Sequence, residues 1–311
     1  MLKKLSDETR DARTVILSSE IIWHTDPIHP GRLDALFRGF DEISLLFYIR
    51  RQDSFAVSYW GSDIKFRIHK EMPHFEQYCR HRNFDFLADL ERWEANGGGA
   101  RLIVRPFVRE AWKNKKLLDD FFHYIDERLK PVTSVASDNR NESWPIPSLE
   151  LLRMINMLDL PNPDKLAVKL RELGAGISVG ENQGLLTQEI QQYLLDRYAA
   201  RNRMLADRYW TPEEKRLFDE QEVRTYEYPY SGLTTENYSA ILAELWSEGH
   251  PDKKTNGLPD QYADIFRNAA LKIEKEDLKL AFELMNLAHE IRPAGTMIKQ
   301  KLDEYREKLN Q

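Results

Sequence analysis

One stretch decides the fold of this 311-residue chain, namely Ile43-Ser44-Leu45-Leu46-Phe47-Tyr48-Ile49-Arg50-Arg51-Gln52. Its first seven residues form the most apolar run in the sequence, so we predict a buried central strand over 43–49. Two arginines end the run, and Gln52 opens a segment of helical character that reaches about Lys70. A buried strand followed directly by a helix is typical of a parallel α/β sheet.

Two further runs predict strands of the same sheet. Residues 14–18 (Thr-Val-Ile-Leu-Ser) form a short apolar run, and residues 101–105 (Arg-Leu-Ile-Val-Arg) form another, which Pro106 stops. Helical patterns follow each run, at about 30–40, 52–70, 83–94 and 114–129. Because strands and helices alternate, we expect an α/β fold with parallel strands and helical crossovers.

The chain beyond residue 147 reads as almost wholly helical. We predict helices at Ser148–Leu158, Asp164–Leu173 and Thr187–Tyr209, and again at Pro259–Glu274, Asp277–Glu290 and Thr296–Leu309. The expected organisation is an α/β core over 1–210, a bridging segment over 211–258 and an all-helical, hairpin-like C-terminal unit over 259–311.

Composition excludes several classes of protein. The formal charge of −6 and the pI near 5.8 argue against a wholly basic nucleic-acid binder. No apolar run approaches the roughly 18 residues of a membrane span, and because the first 13 residues lack an apolar core, we do not expect them to form a signal peptide. The single cysteine, Cys79, fits a reducing compartment, so we expect a cytoplasmic protein. His69, His74 and His81 lack metal-ligand spacing, so no metal site is predicted.

A candidate anion site lies at the end of the central strand. Arg50 leaves the strand, and Ser58 follows eight residues later, about two helical turns on, so it returns to roughly the face of Arg50. An arginine and a hydroxyl can hold a phosphate from two sides, beyond the carboxyl end of a parallel strand. The alternative is a solvated or ion-paired surface arginine and an ordinary surface serine.

This segment resembles the 3′-phosphate motif of sulfotransferases that use 3′-phosphoadenosine-5′-phosphosulfate. The form Tyr48-Ile49-Arg50-Arg51-Gln52-Asp53, followed by Ser58-Tyr59, is similar to bacterial sulfotransferase-like proteins linked to glycan and polysaccharide modification. Other segments follow that family's order: Val15–Glu20, Trp93 with Arg105–Phe107, Asp119–Phe121, Asn141–Ser143, Leu151–Asn156 and Arg197–Asn202. The resemblance spans about residues 14–210.

The resemblance implies a function and roles for two residues. Arg50 and Ser58 would hold the 3′-phosphate of the nucleotide donor, and the acceptor would be a carbohydrate hydroxyl. A catalytic base would accept the proton of that hydroxyl, and Glu20, at the end of the predicted 14–18 strand, is well placed for this role, with His24 as the second candidate. A strand-end glutamate is also a common helix cap or ion-pair partner.

The sequence departs from the family at one important feature. The family grips the 5′-phosphosulfate with a Gly-, Lys- and Ser/Thr-rich loop before its first helix, and neither Gly97–Gly99 nor Gly174–Gly180, which we interpret as turns, provides it. We therefore expect an incomplete, parallel-sheet, sulfotransferase-like core that is inactive alone, either truncated or naturally degenerate. The second hypothesis is a non-catalytic binding or assembly protein on the same degenerate fold.

Overall fold

The fold is known from a computed structural model, which describes Ala12 and residues 14–18, 40–66, 72–96, 99–126, 143–157, 163–241 and 260–310. The chain divides into two compact units, each assembled from three segments. The first unit comprises 1–52, 83–137 and 195–222, and the second comprises 53–82, 138–194 and 223–311. The predicted division into 1–210, 211–258 and 259–311 stays a prediction.

The described residues form an α/β structure that is mainly helical. Its strands are β1 (Ser44–Ile49), β2 (Arg101–Pro106), β3 (Gln183–Gly184) and β4 (Tyr228–Pro229). Its helices are α1 (Gln52–Lys65), α2 (Phe75–His81), α3 (Phe86–Asn96), α4 (Leu117–Ile125), α5 (Ile146–Met157), α6 (Pro163–Ala175), α7 (Gln188–Tyr209), α8 (Pro212–Asp219), α9 (Gln261–Ile273), α10 (Leu278–Ile291) and α11 (Thr296–Leu309).

The first unit contains the predicted parallel pair. Strands β1 and β2 align in parallel from Ser44 opposite Arg101 to Ile49 opposite Pro106, which confirms both strands and their direction. The Trp210 indole N–H donates to the carbonyl of Val104, 3.1 Å away, so a buried backbone acceptor of β2 is satisfied by a side chain.

The predicted strand over 14–18 is wrong. These residues have no regular secondary structure, and Ile16 and Leu17 are 44% and 55% exposed. A short apolar run becomes a strand only when a neighbouring strand satisfies its backbone groups, and within the described residues β1 pairs with β2 alone. The helix predicted at about 30–40 lies outside the described residues, apart from Phe40.

The boundaries of the first unit's helices differ from prediction for local reasons. Helix α3 begins three residues after the predicted start at Asn83, because the Asp85 carboxylate accepts the N–H of Ala88, 3.0 Å away, as an N-terminal cap. Helix α4 begins at Leu117 rather than at Asn114. Asn114 and Lys115 have φ angles of 54° and 56°, so neither can belong to a right-handed helix.

The described part of the second unit consists of helices, a short parallel pair of β3 with β4, and a parallel bridge between Thr187 and Tyr226. Helices α9, α10 and α11 confirm the three C-terminal helices predicted from periodicity, and the Asp277 carboxylate caps α10 by accepting the Leu280 N–H, 2.9 Å away. Gly174 is not a turn residue as predicted. It lies within α6, where a Cβ would clash with the backbone of Ser148 on α5, so glycine permits a close helix crossing.

Candidate anion site at the end of β1

Arg50 directly follows β1 and lies at the carboxyl edge of the parallel pair, as predicted. Its guanidinium carbon lies 4.5 Å from the ring centre of Phe107, the residue that directly follows β2. The backbone is fixed at the same point, because the Phe107 N–H donates to the Ile49 carbonyl, 2.7 Å away. The two strand ends therefore place a cation on an aromatic face.

The Arg50 guanidinium has no anionic partner among the described residues. Its side chain is half-buried, and burial lowers the pKa of the guanidinium below its usual value, with no carboxylate to oppose that effect. Removing a cation from water without pairing it is unfavourable. An anion bound at this position would compensate that desolvation, and phosphate suits the planar donor set of arginine.

The other polar residues of the motif are engaged in internal hydrogen bonds. Arg51 donates to the Asp219 carbonyl at 2.6 Å. Gln52 and Asn202 exchange side-chain hydrogen bonds of 2.7 and 2.8 Å, which fixes the start of α1 within the first unit. These two motif residues, unlike Arg50, hold the fold together.

Asp53 has the same structural character, within the second unit. Its carboxylate accepts a hydrogen bond from the side chain of Gln191 at 2.8 Å. The segment Arg197–Asn202, quoted for the resemblance, is also structural in the first unit. There the Tyr198 hydroxyl accepts the Phe84 N–H at 2.9 Å, and Arg201 pairs with Asp85 at 2.8 Å.

An aromatic group extends the strand edge beyond Arg50. The rings of Phe107 and Trp112 meet edge to face with centroids 4.9 Å apart. The rings of Tyr48 and Phe107 also meet edge to face, with centroids 6.4 Å apart. The Trp112 indole N–H donates to the Pro106 carbonyl at 3.2 Å, so the ring is held against the end of β2. The cation is thus supported by a rigid aromatic surface.

Sequence reasoning missed a buried charge cluster behind this edge. Arg105 of β2 donates to the Asp120 carboxylate at 3.1 Å and also pairs with Glu214. The same carboxylate accepts the Tyr48 hydroxyl at 2.9 Å. Burial, and then this hydrogen bond to Asp120, raise the pKa of Tyr48 far above its usual value. All these groups are satisfied by each other, so the cluster is structural.

Ser58 belongs to the second unit. It lies on α1 with an exposed side chain, and its backbone carbonyl accepts the Ser62 hydroxyl at 3.1 Å. Because Arg50 and Ser58 belong to different units, their pairing around one phosphate stays a prediction. Glu20 and His24, the predicted catalytic residues, lie outside the described residues.

Within the described residues, no group of three or more His, Cys, Asp or Glu side chains is arranged to hold a metal ion. Within the same residues, no helix combines the length and the apolar character that crossing a membrane requires.

Comparison of the chain with family models, with curated proteins and with solved structures finds no match.

Proposed function

We propose that this chain is a sulfotransferase-like protein in which Arg50 binds the 3′-phosphate of an adenine nucleotide. One observation carries the proposal: a half-buried guanidinium at the carboxyl end of a parallel strand has no anionic partner among the described residues. Ligands of parallel sheets bind at this edge, and arginine offers a phosphate two parallel hydrogen bonds. The sequence motif around Arg50 supports the choice of nucleotide.

Each residue of the proposed site would have a distinct role. Arg50 would neutralise the phosphate, Phe107 would hold the guanidinium in place, and the Ser58 hydroxyl would add a second donor. When bound as 3′-phosphoadenosine-5′-phosphosulfate, the nucleotide supplies the sulfuryl group that complete family members transfer to a carbohydrate hydroxyl. Glu20, or else His24, would accept the proton of that hydroxyl.

Calorimetry with adenosine 3′,5′-bisphosphate tests the proposal. Hydrogen bonds to charged groups contribute about 1.5–3 kcal/mol, so Arg50→Ala should weaken binding roughly 10- to 100-fold. Arg50→Lys should give an intermediate loss, because it keeps the charge but not the two-pronged geometry. Ser58→Ala should weaken binding by a smaller factor.

Arg101→Ala is the matched control. Arg101 carries the same charge at the opposite end of β2, where its side chain is exposed. Its loss changes the net charge equally and should leave affinity unchanged. Equal affinity in wild type and Arg50→Ala would show that Arg50 is not a ligand.

The second candidate is a non-catalytic binding or assembly protein. It is favoured by the structural use of Arg51 and Gln52, whose side chains hold the first unit together. The bisphosphate titration separates the two candidates, because the incomplete core is expected to bind the nucleotide without transferring a sulfuryl group. Nucleotide binding that depends on Arg50 supports the sulfotransferase-like protein, whereas no binding by the wild type favours the binding or assembly protein.

A further inference from the structure

The loop that follows β2 concentrates positive charge on an otherwise acidic protein. Residues 109–116 (Arg-Glu-Ala-Trp-Lys-Asn-Lys-Lys) carry four cations and one carboxylate, whereas the whole chain has a formal charge of −6. The four cationic side chains are all exposed. Among the described residues, no carboxylate forms an ion pair with Arg109, Lys115 or Lys116.

The backbone of this loop is held in one shape by groups on its inner side. The buried Asp120 carboxylate accepts the Lys113 N–H at 2.9 Å, and Arg105 donates to the Ala111 carbonyl at 2.7 Å. Two consecutive non-glycine residues, Asn114 and Lys115, have positive φ angles of 54° and 56°. Such conformations are unfavourable and persist where the surroundings impose them, so the inner contacts determine the course of the backbone that carries the cations.

An aromatic ring lies within the same loop. Trp112 is half-buried and packs on Phe107, the ring that also supports Arg50, and its neighbour Lys113 is one of the exposed cations. An indole offers an apolar face to the C–H groups of a sugar ring, while exposed lysines and arginines attract carboxylate or sulfate groups. The combination suits a ligand that is both anionic and built of sugar rings.

We propose that the loop over residues 109–116 binds an acidic polysaccharide. The choice of a glycan rests on the proposed function, whereas its negative charge is inferred from the loop itself. A nucleic acid would meet the same positive charge, so the proposed function alone favours the glycan, and the oligonucleotide is an outcome of the test.

Fluorescence anisotropy with a labelled oligogalacturonate tests the inference. Two exposed ion pairs are lost in the Lys115→Ala/Lys116→Ala variant, so binding should weaken about 3- to 30-fold, and its dependence on salt should become shallower. The Lys272→Ala/Lys299→Ala variant is the matched control, since both lysines are exposed and lie in helices of the second unit. This control should bind like wild type.

Three comparisons decide the outcome. A neutral dextran oligomer of equal length should not bind, and a thymidine oligonucleotide of equal charge should bind more weakly than the glycan. Equal or tighter binding of the oligonucleotide would overturn the choice of a glycan. Equal loss in both double variants, or no binding to wild type, would overturn the site.

Failure of this inference can be told apart from failure of the nucleotide site. The Lys115→Ala/Lys116→Ala variant should keep the wild-type affinity for adenosine 3′,5′-bisphosphate, and Arg50→Ala should lose it. If the lysine variant loses the nucleotide as strongly as the glycan, the loop belongs to the nucleotide site and the inference is wrong.

Discussion

Two arginines with restricted access to water, Arg50 in the first unit and Arg153 in the second, differ in whether carboxylates pair with them. Arg153 is buried on α5 and donates to Glu150 at 2.8 Å, to the Met72 carbonyl at 3.0 Å and to Asp277 at 2.8 Å. Burial lowers its pKa, but the two carboxylates outweigh that effect and raise the pKa above its usual value. For Arg50, burial lowers the pKa of the guanidinium and no carboxylate among the described residues raises it again.

The difference separates a cation used for the fold from a cation suited to binding. A buried arginine that contributes to a stable fold has all its donors satisfied, as Arg153 shows. A half-buried arginine without an anion keeps a desolvation cost that a bound anion would offset, and departures of this kind from the usual pairing are expected at functional sites. The comparison can be tested by measuring how substitutions at each arginine and its partners change the free energy of unfolding.

The largest effect is expected at Arg153. Arg153→Met keeps most of the side-chain volume but leaves Glu150 and Asp277 as buried carboxylates without their cation. Removing one partner of a buried pair costs about 3–5 kcal/mol, so urea denaturation should show a loss of that size. Arg306→Met is the control, because the pair between Arg306 and Asp303 is exposed and should contribute less than about 0.5 kcal/mol. Similar losses in both variants would contradict the contrast.

A smaller effect is expected from acid on Asp277. Burial raises the pKa of this carboxyl, but Arg153 and the Leu280 N–H outweigh burial, so the folded-state pKa lies below its usual value. A group with a lowered folded pKa stabilises the fold above its unfolded pKa, near 4, and loses that contribution as the pH falls through the folded value. Asp277→Asn should therefore be less stable than wild type by about 1–3 kcal/mol at pH 7.

Denaturation curves at several pH values check this prediction. The difference between wild type and Asp277→Asn should shrink steadily below about pH 4, because protonated Asp277 resembles asparagine. All other carboxylates are common to both proteins and cancel in the difference. A difference that stays constant from neutral to acidic pH would show that Asp277 is not ionised in the folded protein.

The sequence predicts the parts of the fold whose signals are local. The run 43–49 and the periodic helices after residue 259 were predicted correctly, because apolar spacing alone determines which face is buried. The run 14–18 has a similar apolar character, but a strand also needs a partner, and partners are not encoded locally. The two-residue strands β3 and β4 are too short to leave any periodic signal.

The candidate site was predictable in position but not in electrostatic state. Arg50 follows an apolar run, so its place at a strand end can be read from its neighbours. Its lack of an anion cannot be predicted from the sequence. Arg153 has one local partner, Glu150, but its second partner and the surroundings of Arg50 come from distant segments. Arg153 meets Asp277 across 124 residues, and Gln52 meets Asn202 across 150.

The smallest change in stability is expected at Arg50. Arg50→Leu removes a desolvated cation that has no anionic partner among the described residues, while keeping an apolar contact with the Phe107 ring. The lost cation–π contact, about 0.5–1 kcal/mol, opposes the relief of desolvation, so the free energy of unfolding should be unchanged or rise slightly. Binding of adenosine 3′,5′-bisphosphate should nevertheless fall roughly 10- to 100-fold. If Arg50→Leu keeps its stability but loses affinity for the nucleotide, Arg50 is a ligand. A loss of stability comparable to that of Arg153→Met would instead place Arg50 among the structural cations and remove the main support for the proposed site.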